Sequence, residues 1–171
     1  MDDLLETIAR LEQSPGPVVL ATLLRGEGHS GIRRILRSAE GAVGEALAGG
    51  RSRVLGPEDG LELDGWRDGL VLLERMMPGQ LPPWVHFCGQ VLRRGGSCVL
   101  ATVGTVEGAI PYAAGDRFAY DERNHGLLPM DGRFSLELQR GCLRARAAGA
   151  SSWERLPLGD GALGMLLEPL P

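Results

Sequence analysis

Two stretches of this chain set a glycine-rich turn ahead of arginines, a pairing suited to holding an oxyanion. In the first, Glu27-Gly28-His29-Ser30 leads to Arg33 and Arg34; in the second, Glu107-Gly108 leads to Gly115, Asp116 and Arg117. Backbone amides approach a ligand closely where no Cβ intrudes, and guanidinium groups fork onto the charge. The candidate cofactor-binding residues are therefore Gly28, His29, Ser30, Arg33, Arg34, Gly108, Gly115 and Arg117. Glycine makes up 26 of the 171 residues, and most glycines mark turns. The cradle is an expectation for the fold to test.

Other residue types offer less. Glu27 and Glu107 could act as acid or base, yet a carboxylate at a strand end more often caps the following turn. The histidines His29, His86 and His125 have no acidic residue at fixed helical spacing, so no nucleophile–base pair is visible, and His29-Ser30 is not a triad. The cysteines are Cys88, Cys98 and Cys142, an odd number with no C-x-x-C and no histidine pair, against a disulfide framework or a structural zinc site. Cys88 and Cys98 read as core thiols. Only Cys142, in an Arg-Gly-Cys-Leu turn, could be exposed and reactive.

The elements that must position these residues come in two copies. Gly16 to Gly28 read GPVVLATLLRGEG, and Gly96 to Gly108 read GSCVLATVGTVEG, with the Gly, Val-Leu-Ala-Thr and Glu-Gly positions identical 80 residues apart. Upstream, Leu4, Leu5, Ile8 and Leu11 face Trp84, Val85, Cys88 and Val91 at the same offset. Downstream, Leu72-Leu73-Glu74 answers Leu166-Leu167-Glu168, offset by 94. A repeat of this size is a small domain, not a solenoid unit.

Each copy opens on an amphipathic helix, with Asp2 and Asp3 in the first turn of one and Pro82-Pro83 at the entry to the other. The apolar runs Val18 to Leu24 and Cys98 to Val106 suit central strands. The first copy continues through a short strand, Ile35 to Arg37, and a small helix around Ala42 to Leu47. The second continues through a strand at Arg117 to Tyr120 and a further strand or helix from Phe134 to Arg146. Leu70 to Leu73 and Leu163 to Leu167 close the copies as strands. The expected fold class is α/β or α+β: two similar small domains, residues 1–79 and 80–171, each a mixed sheet behind an N-terminal helix, related by pseudo-two-fold symmetry. The Pro/Gly-rich stretch Met77 to Pro83 joins them.

Composition narrows the partners. Net charge is −4, aromatics total 5%, and there is no basic tract, against a nucleic-acid-tracking surface. No apolar run is long enough to span a bilayer, and the acidic N-terminus is unlike a secretory signal, so a cytoplasmic location is expected. All 18 basic residues are arginine, which removes lysine Schiff-base and P-loop chemistry.

The LATV-like strand, the Glu-Gly pair, Gly115-x-Arg117-Phe118 and the closing Glu168-Pro-Leu-Pro resemble the N-terminal domain of the XdhC/CoxI family. In the first copy Gly28, Ser30, Arg33-Arg34, Ile35-Leu36 and Glu40-Gly41 look like a shortened version. Family members are accessory proteins for maturing molybdenum hydroxylases of the xanthine or carbon monoxide dehydrogenase type. The resemblance implies that the chain binds the molybdenum cofactor (molybdopterin), whose pterin phosphate suits a glycine–arginine turn, and hands it to a hydroxylase apoenzyme. The family's Gly-Gly-Cys-x-Glu segment is missing: Arg51 follows Gly49-Gly50, and Cys142 follows Arg140-Gly141 with no acidic partner. No Gly-x-Gly-x-x-Gly stands on a strand–helix turn, so the resemblance implies the accessory domain alone, doubled.

Three readings follow. The first is that carrier. The second is a non-catalytic scaffold that contacts a partner protein or itself, homodimers included. The third is a small enzyme acting through Glu107 or Cys142 on a phosphorylated or pterin-like substrate.

Overall fold

In the computed structural model, residues 4–26, 30–36, 41–60, 63, 66, 68–123 and 126–171 are described. The chain divides into two compact units, Met1–Pro82 and Pro83–Pro171. The first holds α1 (Leu4–Glu12), β1 (Val18–Arg25), β2 (Arg33–Leu36), α2 (Gly41–Ala46), β3 (Ser52–Leu55) and β4 (Leu70–Met76). The second holds α3 (Pro83–Arg93), β5 (Cys98–Glu107), β6 (Arg117–Tyr120), α4 (Gly132–Ala148), β7 (Ser152–Leu158) and β8 (Gly161–Leu170). Element order is the same in both.

So is the sheet. Strand order is β2-β1-β4-β3 in one unit and β6-β5-β8-β7 in the other. Content is mixed α/β as expected, but every pairing is antiparallel where a mixed sheet was anticipated. The reason lies in the connections. Short turns join β1 to β2 and β5 to β6, and a parallel pairing would need a long crossover instead.

The repeat is also exact in register. Thr22 pairs with Arg33 and Leu72, and Thr102 with Arg117 and Leu166. The β1–β4 ladder slips between Leu23 and Arg25, and the β5–β8 ladder slips between Val103 and Thr105, 80 residues on. A bulge of this kind sharpens the strand twist at one point, and each sheet carries it at the equivalent place.

Each sheet buries an apolar layer. In the first unit Val19, Ala21, Leu23, Val71 and Leu73 pack with Leu47, Leu55 and Trp66. In the second, Val99, Ala101, Val103, Leu163, Met165 and Leu167 pack with Phe134, Leu138, Cys142 and Ala145 of α4. Those α4 positions recur every three or four residues, which turns one stripe to the sheet. Asp131 caps the helix by accepting from the Phe134 amide, and Gly149 ends it with φ +63°. The ambiguous stretch from Phe134 is thus a helix. Among the described residues no helix is long and apolar enough to cross a membrane.

Candidate functional site

The two turns were expected to gather arginines around an anion, and the strands turn those arginines elsewhere. Alternation along β2 sends Arg33 and Arg34 to opposite faces of the sheet. Arg33 is 4% exposed, and its Nη1 donates to the Gly31 carbonyl at 2.9 Å. Arg34 lies exposed on the other face, its guanidinium carbon 4.9 Å from the centre of the Trp66 ring. Ser30 is half-buried, while Gly28 and His29 lie outside the described residues, as do Glu27 and His125.

In the second unit Arg117 matches Arg33 in register. Its guanidinium stacks over Trp84 of α3 at 4.4 Å, and Nη1 donates to Thr102 Oγ1 at 3.2 Å. Gly115 has φ +98°, and its amide donates to the Val103 carbonyl at 2.8 Å. Gly31, at φ +79°, does the same to Leu23 at 2.7 Å. These glycines close the β1–β2 and β5–β6 turns with their amides already bonded to the sheet. Gly108, at φ +82°, sits against Gly161, where a Cβ would come within 3.0 Å of the Gly161 Cα. The described turn residues therefore build the sheet's corners. The Gly31 and Gly115 amides and the Nη1 atoms of Arg33 and Arg117 each donate to a group of the same unit.

The residues proposed for acid–base or thiol chemistry have structural partners too. Arg155 donates to both Glu107 oxygens, at 3.2 and 2.6 Å, and holds that exposed carboxyl below its usual range. Cys142 takes the buried alternative: it is 1% exposed on the inner stripe of α4, and burial pushes its thiol up to about 12. Gly141 marks no turn. It lets α4 approach the sheet, since a Cβ there would lie 3.0 Å from Leu167 Cδ1. The Cys98 thiol is raised by a hydrogen bond with Cys88 and by burial, and both side chains are buried as expected.

No family model matches the chain. No curated protein matches it either.

What sequence reasoning missed lies on the outer face of α4. Leu136 is 56% exposed and Leu143 40%, seven residues apart, and Met130 just ahead of the helix is fully exposed. Among the described residues, Met77 and Val106 are the other large apolar side chains at the surface. A seven-residue spacing brings two leucines to one side of a helix after two turns. The signal was present as a second leucine stripe, out of phase with Phe134, Leu138 and Cys142.

Proposed function

We propose that this protein is a non-catalytic interaction module, binding a partner protein through the outer face of α4. The observation carrying it is the exposed Leu136/Leu143 stripe, with Met130 exposed just ahead of the helix. Arg140 and Arg144 run along one side of the stripe, each tied to a carboxylate, Glu137 at 2.8 Å and Glu154 at 2.6 Å. An apolar seam edged by ordered charges is a surface that a second helix or a strand edge can cover. The groups considered for chemistry support the same reading, because Arg117, Glu107 and Cys142 each already serve the fold.

The test is a paired Leu136→Glu and Leu143→Glu substitution. Association with a partner, or with a second copy in sedimentation, should be lost while the thermal unfolding midpoint stays within a few degrees. Association that survives both charges would remove the proposal. Carriage of the molybdenum cofactor for a hydroxylase, the XdhC/CoxI reading, rests on the sequence resemblance and has no described cradle behind it. Titration with the free pterin, watching tryptophan fluorescence, tests it separately.

A further inference from the structure

The second unit carries a polar groove of about 470 Å³ between α3 and the end of β6. That volume lies within the roughly 300–1,000 Å³ usual for small-molecule sites. Phe87, Gln90 and Arg94 line it from α3, Ser97 from the following turn, Arg123 from the loop after β6, and Arg146 from α4. Arg146 donates to Glu122 at 3.0 Å. Among the described residues the guanidiniums of Arg94 and Arg123 have no hydrogen-bond or ion-pair partner.

A groove in the first unit offers a comparison. It measures about 290 Å³ and lies between α1 and β2, with Arg10, Arg33 and Arg34 along it. There the three described arginines are engaged: Arg10 with Glu6, Arg33 with the Gly31 carbonyl, Arg34 with the Trp66 ring. Residues at the 80-residue offset differ as well, Thr7 standing for Phe87 and Ser14 for Arg94. Of these two grooves the second is the larger, and in it Arg94 and Arg123 have no side-chain partner among the described residues.

We infer that this groove binds a phosphate-bearing small molecule, independently of the α4 interaction surface. Arg94, Arg123 and Arg146 offer more forked donors than the two oxygens of one carboxylate can accept, whereas a phosphate group presents three oxygens. Ser97 and Gln90 add neutral donors, and the half-buried Phe87 ring offers an apolar wall for the rest of the ligand. Asp121, whose Oδ1 accepts from the Arg123 amide at 3.1 Å, fixes the loop that carries Arg123. Glu122 would yield its share of Arg146 to the stronger dianion.

The test is calorimetric titration of the full chain with inorganic pyrophosphate at low ionic strength, with citrate as a carboxylate control. Saturable binding is expected, weakened roughly tenfold by Arg94→Ala and again by Arg123→Ala, and falling with added salt. Arg51→Ala, in the first unit, removes the same charge and should leave binding unchanged. Both groove arginines are exposed, so the variants should unfold at the wild-type temperature. Absence of saturable binding overturns the inference, as does binding equally weakened by Arg51→Ala. Citrate binding as tight as pyrophosphate would overturn the choice of phosphate.

Discussion

The guanidinium carbon of Arg117 lies 4.4 Å from the centre of the Trp84 ring. One contact thus links α3 to β6, while Nη1 of the same arginine reaches Thr102 on β5. A cation over a partly desolvated indole contributes about 1 kcal/mol, and the hydrogen bond a similar amount. Arg117→Ala should therefore destabilise the second unit by about 2 kcal/mol in urea unfolding, with Arg117→Lys losing less. An unchanged midpoint would mean that Arg117 is available for a ligand instead.

Arg33 and Arg34 are neighbours in sequence and opposites in consequence. Arg33 is buried on the sheet face that Thr22 shares, and the register puts Glu74, also buried, on that face. Removing a buried cation from such a face costs about 3 kcal/mol, whereas an exposed arginine stacked on a ring contributes less than about 1 kcal/mol. Arg33→Ala should thus unfold at clearly lower urea than Arg34→Ala. Equal midpoints would contradict the placement of the two side chains.

Cys142 should be silent to thiol reagents and audible in the pH dependence. In the native protein at pH 7 to 8, Ellman's reagent should label none of Cys88, Cys98 and Cys142, and all three after unfolding. Burial raises the folded thiol of Cys142 from its ordinary 9.0 to about 12. The native state then holds that proton more tightly than the unfolded chain. Its contribution is complete below pH 9 and is lost as the pH climbs toward 12. Cys142→Ala should flatten that alkaline fall, and an equally steep fall would refute the assignment.

Gly126 has φ +66°, and a Cβ there would meet the Ala119 carbonyl oxygen at 1.9 Å, a backbone atom that has no room to yield. The next residue, Leu127, bonds with Ala119 in both directions, covering the outer edge of β6. Gly126→Ala should cost about 3 kcal/mol or prevent folding of the second unit. Gly79→Ala offers the comparison: φ is +73° with nothing within 4 Å, so only the backbone strain of about 1 kcal/mol applies.

The repeat made most of this architecture legible. Apolar spacing placed α1 and α3, the Val-Leu-Ala-Thr runs placed β1 and β5, and Arg117 to Tyr120 is β6 to the residue. β3 and β7 escaped notice because they are edge strands. Of Ser52–Leu55 only Leu55 is buried, and of Ser152–Leu158 only Leu156, so neither shows the alternation that betrays a half-buried strand. Pro157 within β7 further masks it, though an edge strand tolerates proline.

The candidate site was harder to read for a different reason. Composition marks an arginine as a binder, but the parity of its position in a strand decides which face it serves. Arg33 and Arg117 share their faces with buried Thr22 and Thr102, a relation set by cross-strand register. The exposed leucines of α4 stayed hidden because the element itself was ambiguous. Their stripe exists only once Phe134 to Arg146 is known to be a helix.

The most direct test of the interaction surface is site-specific photo-crosslinking in the native cell extract. A photoreactive residue replaces Leu136 in one sample and exposed Glu58 of the first unit in another. The account predicts one discrete adduct from position 136, absent from position 58 and abolished by Leu143→Glu in the same chain. Equal labelling from both positions, or an adduct that persists beside Leu143→Glu, would contradict a partner seated on α4.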